Sequence, residues 1–315
     1  MARGLGRWEN NTALTELAVN HESLPAEEGQ SSRRPPRRYL MRDASRALTP
    51  TGGFLKGFGF SLNPYLGCAF GDHGGCPFCY VRALPVARAE SGPWGAWVVA
   101  KQNLATLLGR ELTALDRAGR LAAATIFMSS ATDPYQGLER RLKLTRAALE
   151  AFVNHPPRRL LVQTRSPMVE RDLDLLRALG ERVIVSLTIE TDDDAVRRAL
   201  TPTSPSVARR IQCAQRIGAA GVFVQVTVAP MMPNHPARFA AMLDEVARRV
   251  IVDTYFDGDG AHGRRSRALN IGALYQRLGY EGWFRPGAEA ELMAALRARL
   301  GADRVLFSGA GFNAV

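Results

Sequence analysis

Apolar positions along this chain gather into short β-branched runs whose lengths are those of strands. The runs are "FGFSLNPY" (58–65), "AWVVAKQ" (96–102), "AATIFMSS" (123–130), "RLLVQTRS" (159–166), "RVIVSLTIE" (182–190), "GVFVQVTVAP" (221–230) and "RVIVDTYF" (249–256). Most are separated by segments in which apolar residues recur every three or four positions, such as "LERRLKLTRAALEAFV" (138–153) and "PARFAAMLDEVARR" (236–249). That spacing predicts amphipathic helices between the strands. Near-continuous apolar strands joined by helices indicate a parallel sheet covered on both faces, so the pattern predicts an α/β fold, either a doubly wound sheet or a (β/α) barrel. Five or six strand–helix units fit, and no internal repeat stands out.

The ends of these runs turn polar. Ser129 and Ser130, then Thr164, Arg165 and Ser166, then Ser186, Thr188 and Glu190, then Gln225, Thr227 and Pro230 fall at or near the last turns of successive strands. In parallel barrels that end carries the active site, because the strand-to-helix loops converge there. A single Ser or Thr at such a place caps a helix as readily as it binds a ligand. Four successive strand ends with the same character point to a site.

Residues 1–45 are polar, proline-containing and aperiodic, and are expected to form a basic extension rather than a domain. The 315-residue chain is 46% hydrophobic, enough for a sizeable core. It shows no apolar leader segment and no run of membrane-spanning length, so a cytoplasmic, non-membrane protein is expected. Its net charge of +11 and pI near 10.1 suit a polyanionic partner such as nucleic acid. "SSRRPPRRYLMR" (31–42) concentrates that charge beside two prolines, as a solvated strap or a nucleic-acid-gripping arm would.

Candidate chemistry enters with the cysteines. Three of the four, Cys68, Cys76 and Cys79, are spaced C-x7-C-x2-C in one loop after the first run. Clustered thiols in a reducing compartment indicate metal binding rather than a disulfide framework. Zinc closed by His73 and an iron–sulfur cluster held by three cysteines are both compatible with the spacing. Cys213, in the helical stretch "VARRIQCAQRIGAAG", reads as a buried small hydrophobe. Asp257, Asp259 and His262 read as a solvated glycine-flanked turn, with metal binding as the alternative, and "GRRSR" (263–267) as exposed loop or phosphate grip.

The chain resembles the radical S-adenosylmethionine superfamily, and within it the group related to spore photoproduct lyase. The resemblance rests on "NPYLGC", "CPFCYVRA", "SSATDPYQGLE", "QTRSPMVERDLDLL" and "RRALTPTSPSVARRIQCAQRIGAAG", and covers roughly residues 46–256. It implies a partial (β/α)6 TIM-like barrel over residues 46–260, with residues 261–315 capping its open, substrate-side face. It also implies a [4Fe–4S] cluster on Cys68, Cys76 and Cys79, whose free iron takes S-adenosylmethionine. Reductive cleavage of that cofactor gives a 5′-deoxyadenosyl radical for hydrogen abstraction, with cleavage of another sulfonium bond left open. An external one-electron donor of flavodoxin or ferredoxin type follows. The family spacing is C-x3-C-x2-C, so the loop here is four residues longer. The alternative is a non-enzymatic nucleic-acid-binding protein with a Cys3His zinc site.

By position, the resemblance sets Phe78 and Tyr80 near the adenine, and Ser129, Ser130 and Asp133 near the methionine amine. Thr164, Arg165 and Ser166 fall on the carboxylate side, with Arg165 as its cation. Ser186, Thr188 and Glu190 match ribose-binding positions, and Pro230 and Met231 the adenine-side edge. Photoproduct lyases carry a hydrogen-donating cysteine where this chain has Ser130 or Ala131, so a strict dimer-repair reaction is not expected unless Tyr80 or Tyr135 is the donor. Nucleic acid is the favoured substrate.

Overall fold

The computed structural model describes residues 37–70 and 76–314. His73, residues 1–36 and with them the first half of "SSRRPPRRYLMR" lie outside the described residues. Strands in chain order are β1 (Arg38–Arg42), β2 (Leu48–Pro50), β3 (Phe60–Leu62), β4 (Tyr65–Leu66), β5 (Trp97–Lys101), β6 (Thr125–Met128), β7 (Arg159–Thr164), β8 (Val183–Thr188), β9 (Phe223–Val228), β10 (Arg249–Val252) and β11 (Val305–Phe307). Eight of them form one sheet in the order β11-β10-β9-β8-β7-β6-β3-β2. Every pairing in it is parallel except β2 with β3, and its two edge strands do not pair with each other. The fold is thus an open α/β barrel, as the alternation of runs and helical segments predicts.

Side-chain alternation assigns the two faces of this sheet. Leu160 and Val162 of β7, Val183, Val185 and Leu187 of β8, Val224, Val226 and Val228 of β9, and Val250 and Val252 of β10 join the large core under the helices. The intervening residues point inward. Phe127, Leu161, Ile184 and Ile251 pack with Phe58 and Phe312 as an apolar plug. Burying each such side chain is worth about 1.5–3 kcal/mol, which is ample to hold the register.

The helices are α1 (Leu104–Arg117), α2 (Glu139–Leu142), α3 (Leu144–Asn154), α4 (Leu173–Leu179), α5 (Asp194–Leu200), α6 (Val207–Ala219), α7 (Pro236–Asp244), α8 (Arg264–Ala268), α9 (Ile271–Arg277), α10 (Ala290–Leu300) and α11 (Ser308–Phe312). In α1, Leu104, Leu107, Leu108, Leu112 and Leu115 bury one stripe at helical spacing. Three features depart from the sequence pattern. The helix expected over 138–153 is broken at Lys143, whose left-handed backbone (φ 52°) separates α2 from α3. The run at 96–102 does not enter the barrel. It becomes β5, in a second sheet of order β1-β5-β4 that braces the cysteine loop from outside, with β1 drawn from the end of the basic extension. Finally, "RVLFSG" supplies β11, a further parallel strand beside β10. No helix of the described residues is long and apolar enough to cross a membrane.

Candidate active site

The polar ends of the barrel strands, the cysteine segment and the loop after β10 enclose a cavity of about 410 Å³. The three cysteines form its sulfur-bearing wall. Gly67 makes that wall reachable: its φ is +77°, and a Cβ there would lie 2.2 Å from the Trp97 carbonyl oxygen. Only glycine lets the chain turn so closely over β5 into Cys68. On the other side Gln136, fully buried, accepts from the Ala69 N–H at 2.8 Å and donates to the Gly67 carbonyl at 3.4 Å, clamping the residues that flank Cys68. Cys79 N–H donates to the Cys76 carbonyl at 3.0 Å, so these two thiols share one tight turn.

Burial governs the thiols. It pushes Cys68 up to about 12 and Cys79 up to about 11, and the nearby Cys76 adds to both shifts. Cys76 is raised too, by burial, against the opposing charge of Arg165. Arg165 Nη1 donates to Cys76 Sγ at 3.1 Å and to Ser204 Oγ at 3.2 Å. Behind it stands Glu190, fully buried, 3.4 Å from Arg165 Nη2 and 2.6 Å from Nη1 of Arg210. Burial penalises the Glu190 charge, but the Arg210 and Arg165 cations outweigh this and hold its carboxyl below the usual range. Arg210 projects from the otherwise apolar face of α6 and also donates to the Thr188 carbonyl at 2.7 Å.

The loop after β6 is pinned by its neighbours. Asn63, from "NPYLGC", donates to Ser130 Oγ at 3.2 Å and accepts from the Ala131 N–H at 3.0 Å. The Tyr80 hydroxyl donates to the Ser130 carbonyl. Asp133 accepts from Thr164 Oγ1 at 2.7 Å, from the Arg165 N–H at 2.9 Å and from the Tyr135 N–H at 2.9 Å, tying the ends of β6 and β7 together. Burial nonetheless raises its proton affinity. Ser129 has φ +77°, unusual for a residue with a side chain, and its buried Oγ has no hydrogen-bond partner among the described residues.

Of the residues singled out from sequence, Cys68, Cys76, Cys79, Phe78, Tyr80, Ser129, Ser130, Asp133, Thr164, Arg165, Thr188 and Pro230 all line this cavity. Four others do not. Ser166 caps the turn after β7 through the Met168 N–H. Ser186 lies one layer deeper, hydrogen-bonded to Thr227 and Gln225. Glu190 stands behind Arg165, and Met231 is buried with its N–H on the Asp253 carbonyl. Cys213 is fully buried and does not line the cavity. Tyr135 is fully buried away from it, with Arg171 over its ring, so of the two tyrosines considered as donors Tyr80 alone faces the cavity.

Sequence reasoning found only part of the wall opposite the sulfurs: Thr227 stood among the polar strand ends and Arg265 and Ser266 in the "GRRSR" loop, but Gln163, Asp253 and Tyr255 were missed. There Gln163, Thr227, Asp253, Tyr255, Arg265 and Ser266 line the cavity. The "DGDGAHG" turn is not simply solvated. Asp259 accepts from the N–H groups of Ala261, Gly263, Arg265 and Ser266 and folds the loop inward, which carries Arg265 to the rim. The signal for the missed part was Asp253, the acidic residue that breaks the apolar run at 249–256 directly after β10.

An open parallel barrel with a sulfur-lined cavity at the C-terminal strand ends is the architecture of a metal-cluster enzyme. The radical SAM superfamily model matches residues 62–246, and the chain belongs to that superfamily. Members are enzymes that carry a [4Fe–4S] cluster and S-adenosylmethionine and draw an electron from an external donor; the non-enzymatic zinc reading falls away with that membership. An uncharacterized protein of Acidianus two-tailed virus is 30% identical over 82% of this chain and 84% of its own length. One from Methanocaldococcus jannaschii is 29% identical over 61% of this chain and 66% of its own length. The fold is similar to that of spore photoproduct lyase complexed with dinucleoside spore photoproduct, with a TM-score of 0.59 at 14% identity over 86% of this chain and 81% of that one. A spore photoproduct lyase mutant with bound AdoMet and dinucleoside spore photoproduct gives a TM-score of 0.58 at 14% identity, with the same coverage of both chains.

The residues present suit the cofactors. Three thiols, the Arg165 cation, the buried Asp133 carboxylate and the unpartnered buried hydroxyl of Ser129 at one cavity are the donor set that a three-thiolate cluster and a zwitterionic amino acid group require.

Proposed function

We propose that Cys68, Cys76 and Cys79 hold the [4Fe–4S] cluster and that the enzyme abstracts hydrogen from a nucleic-acid substrate. The observation that carries this reading is the convergence of the three thiols with Arg165 and Asp133 at one cavity. When bound, the cluster and its sulfonium cofactor supply reductive carbon–sulfur cleavage and hydrogen-atom abstraction. The chain's part is binding, orientation and exclusion of water. Arg165, its charge backed by Glu190, binds the methionine carboxylate, and Asp133 with Ser129 and Ser130 takes the ammonium. Thr164 keeps Asp133 oriented. Phe78, Tyr80 and Pro230 flank the adenine, and Thr188 the ribose. Ser166, Ser186, Glu190 and Met231 act from behind these groups as packing and hydrogen-bond support.

The nucleic-acid reading is supported by the +11 charge and by Arg265 at the cavity rim. Ser130 and Ala131 face the cavity, so dimer repair with a thiol donor at that place is not proposed. A flavodoxin or ferredoxin is the fitting electron source. The test is anaerobic reconstitution with iron and sulfide, followed by dithionite and S-adenosylmethionine. A brown protein that releases 5′-deoxyadenosine, and passes deuterium from labelled oligonucleotides into it, is the expected result. Stoichiometric zinc in a colourless protein, released by His73→Ala, overturns it. Cleavage to an aminocarboxypropyl product would keep the cluster and change the reaction.

A further inference from the structure

The inner face of four consecutive strand ends presents a polar row. Gln163 is the penultimate residue of β7, Thr188 ends β8, Thr227 lies in β9 beside it, and Asp253 follows β10 directly; all four line the cavity. Below Gln163 and Asp253 the inward positions are the apolar Leu161 and Ile251, whereas below Thr188 and Thr227 lie Ser186 and Gln225, hydrogen-bonded to each other, with Ile184 deeper still. Polar groups set over an apolar floor cost stability unless something satisfies them. Gln163 Nε2 donates to Thr188 Oγ1 at 2.7 Å, but its Oε1 is buried and has no partner among the described residues. Asp253 is 3% exposed and held on both sides of its backbone, its N–H on the Val228 carbonyl at 2.9 Å and its carbonyl on the Met231 N–H at 2.8 Å. Its Oδ1 accepts from the Thr254 N–H at 2.9 Å. Gly258 closes over the carboxyl so tightly that a Cβ there would sit 2.3 Å from Oδ2.

We infer that Gln163 and Asp253 are the specificity-determining residues of the site, and that they select a substrate group carrying N–H donors and C=O acceptors together, such as the amide or imide edge of a nucleobase. This rests on the nucleic-acid reading above. Gln163 Oε1 is an acceptor awaiting a donor. Asp253 supplies the complementary end. Burial pushes its carboxyl up to about 7, with the neighbouring Asp257 and Asp259 adding to the shift and the Thr254 N–H and Ser308 hydroxyl opposing it. Asp257 itself accepts from Thr254 Oγ1, and the Asp259 carboxylate from its four backbone N–H donors, so neither is free to replace Asp253. Below neutral pH Asp253 therefore offers an O–H donor, and above it an acceptor only. None of this row except Thr188 is called on by the cofactor.

The experiment is equilibrium binding of the dinucleotide thymidylyl-thymidine, and of its abasic analogue, to the anaerobically loaded holoenzyme with S-adenosylmethionine present, at pH 6 and pH 8. The expected result is tighter binding of the base-bearing probe, weakened roughly tenfold by Gln163→Ala and by Asp253→Ala, the size of one lost hydrogen bond to a buried partner. Wild-type affinity should fall between pH 6 and pH 8, and Asp253→Asn, which keeps a donor and the side-chain shape, should flatten that change. Iron content and thermal midpoint report whether each variant is folded and loaded; Gln163→Glu and Asp253→Asn serve where the alanine variants are not. Equal binding of the two probes by wild type, or wild-type affinity in the conservative variants at both pH values, overturns the inference alone. Binding of neither probe by wild type overturns the nucleic-acid reading, and this inference with it.

Discussion

The two walls of the cavity are built on different principles. The sulfur wall is local: three thiols fall within twelve residues, on a loop turned by Gly67, clamped by Gln136 and braced by the small β1-β5-β4 sheet. The opposite wall is assembled from four strand ends and the loop after β10, between residues 163 and 266. A short loop loses little entropy on closing, so its chemistry can be written in consecutive letters. A wall gathered from separate strands exists only once the barrel has formed. The first kind of wall suits a cofactor that every member of a superfamily shares; the second can change residue by residue with the substrate.

Removing one member of the sulfur wall should have the largest effect. Cys76→Ala is expected to reduce iron content and S-adenosylmethionine cleavage to background, while Cys213→Ala, in a helix away from the cavity, keeps wild-type iron. Metal analysis of the two side by side checks this. Next comes the charge cluster that joins the walls. Glu190→Ala leaves the buried Arg210 and the nearby Arg165 without their carboxylate, and should cost about 3–5 kcal/mol in denaturant unfolding. If Glu190→Ala unfolds like wild type, the Arg165 cation is not held from behind as described.

The substrate wall should show itself in pH dependence. Asp253 has its folded-state proton affinity raised from 3.8 to about 7. The stabilisation from its protonated form is therefore complete below about pH 4, declines as the pH rises toward 7, and is gone above it. Asp253→Asn should remove this dependence. It should gain stability relative to wild type between pH 4.5 and pH 8, by at most about 4 kcal/mol, with urea midpoints across that range as the measurement. The smallest effect belongs to the clamp. Gln136→Ala leaves the Ala69 N–H without its acceptor and should cost about 1–3 kcal/mol, with faster iron loss to a chelator than wild type. A chelation rate unchanged by Gln136→Ala would mean that Gly67 and the small sheet position Cys68 unaided.

How much of this was legible depends on the range over which each feature is encoded. The runs that became β6 to β10 were plain, since β-branched residues buried on both faces leave an unbroken apolar stretch. The trio of cysteines was plain from spacing, and the placing of Arg165 and Asp133 at the cavity from the motifs around them. The break at Lys143 was not, because a left-handed residue other than glycine carries no local mark. The run at 96–102 looked like any barrel strand, and only its pairing with Arg38–Arg42 and Tyr65–Leu66 sends it to the outer sheet. Ser186 and Thr188 share a face by alternation, yet depth along the strand sets Ser186 against Thr227 and Thr188 on the cavity. Glu190 read as a ribose ligand; its partner Arg210 lies on a helix whose spacing is otherwise that of a buried apolar face.

Composition and order of residues were thus enough to determine the strand–helix rhythm, the trio of thiols and the family. These are properties of neighbours in the chain, where backbone geometry alone sets what can meet. Which strand end faces inward at what depth, which carboxylate is kept from water and which carbonyl is left without a partner were decided by the closing of the barrel. Burial sets the cost of every polar group, and burial belongs to the folded whole.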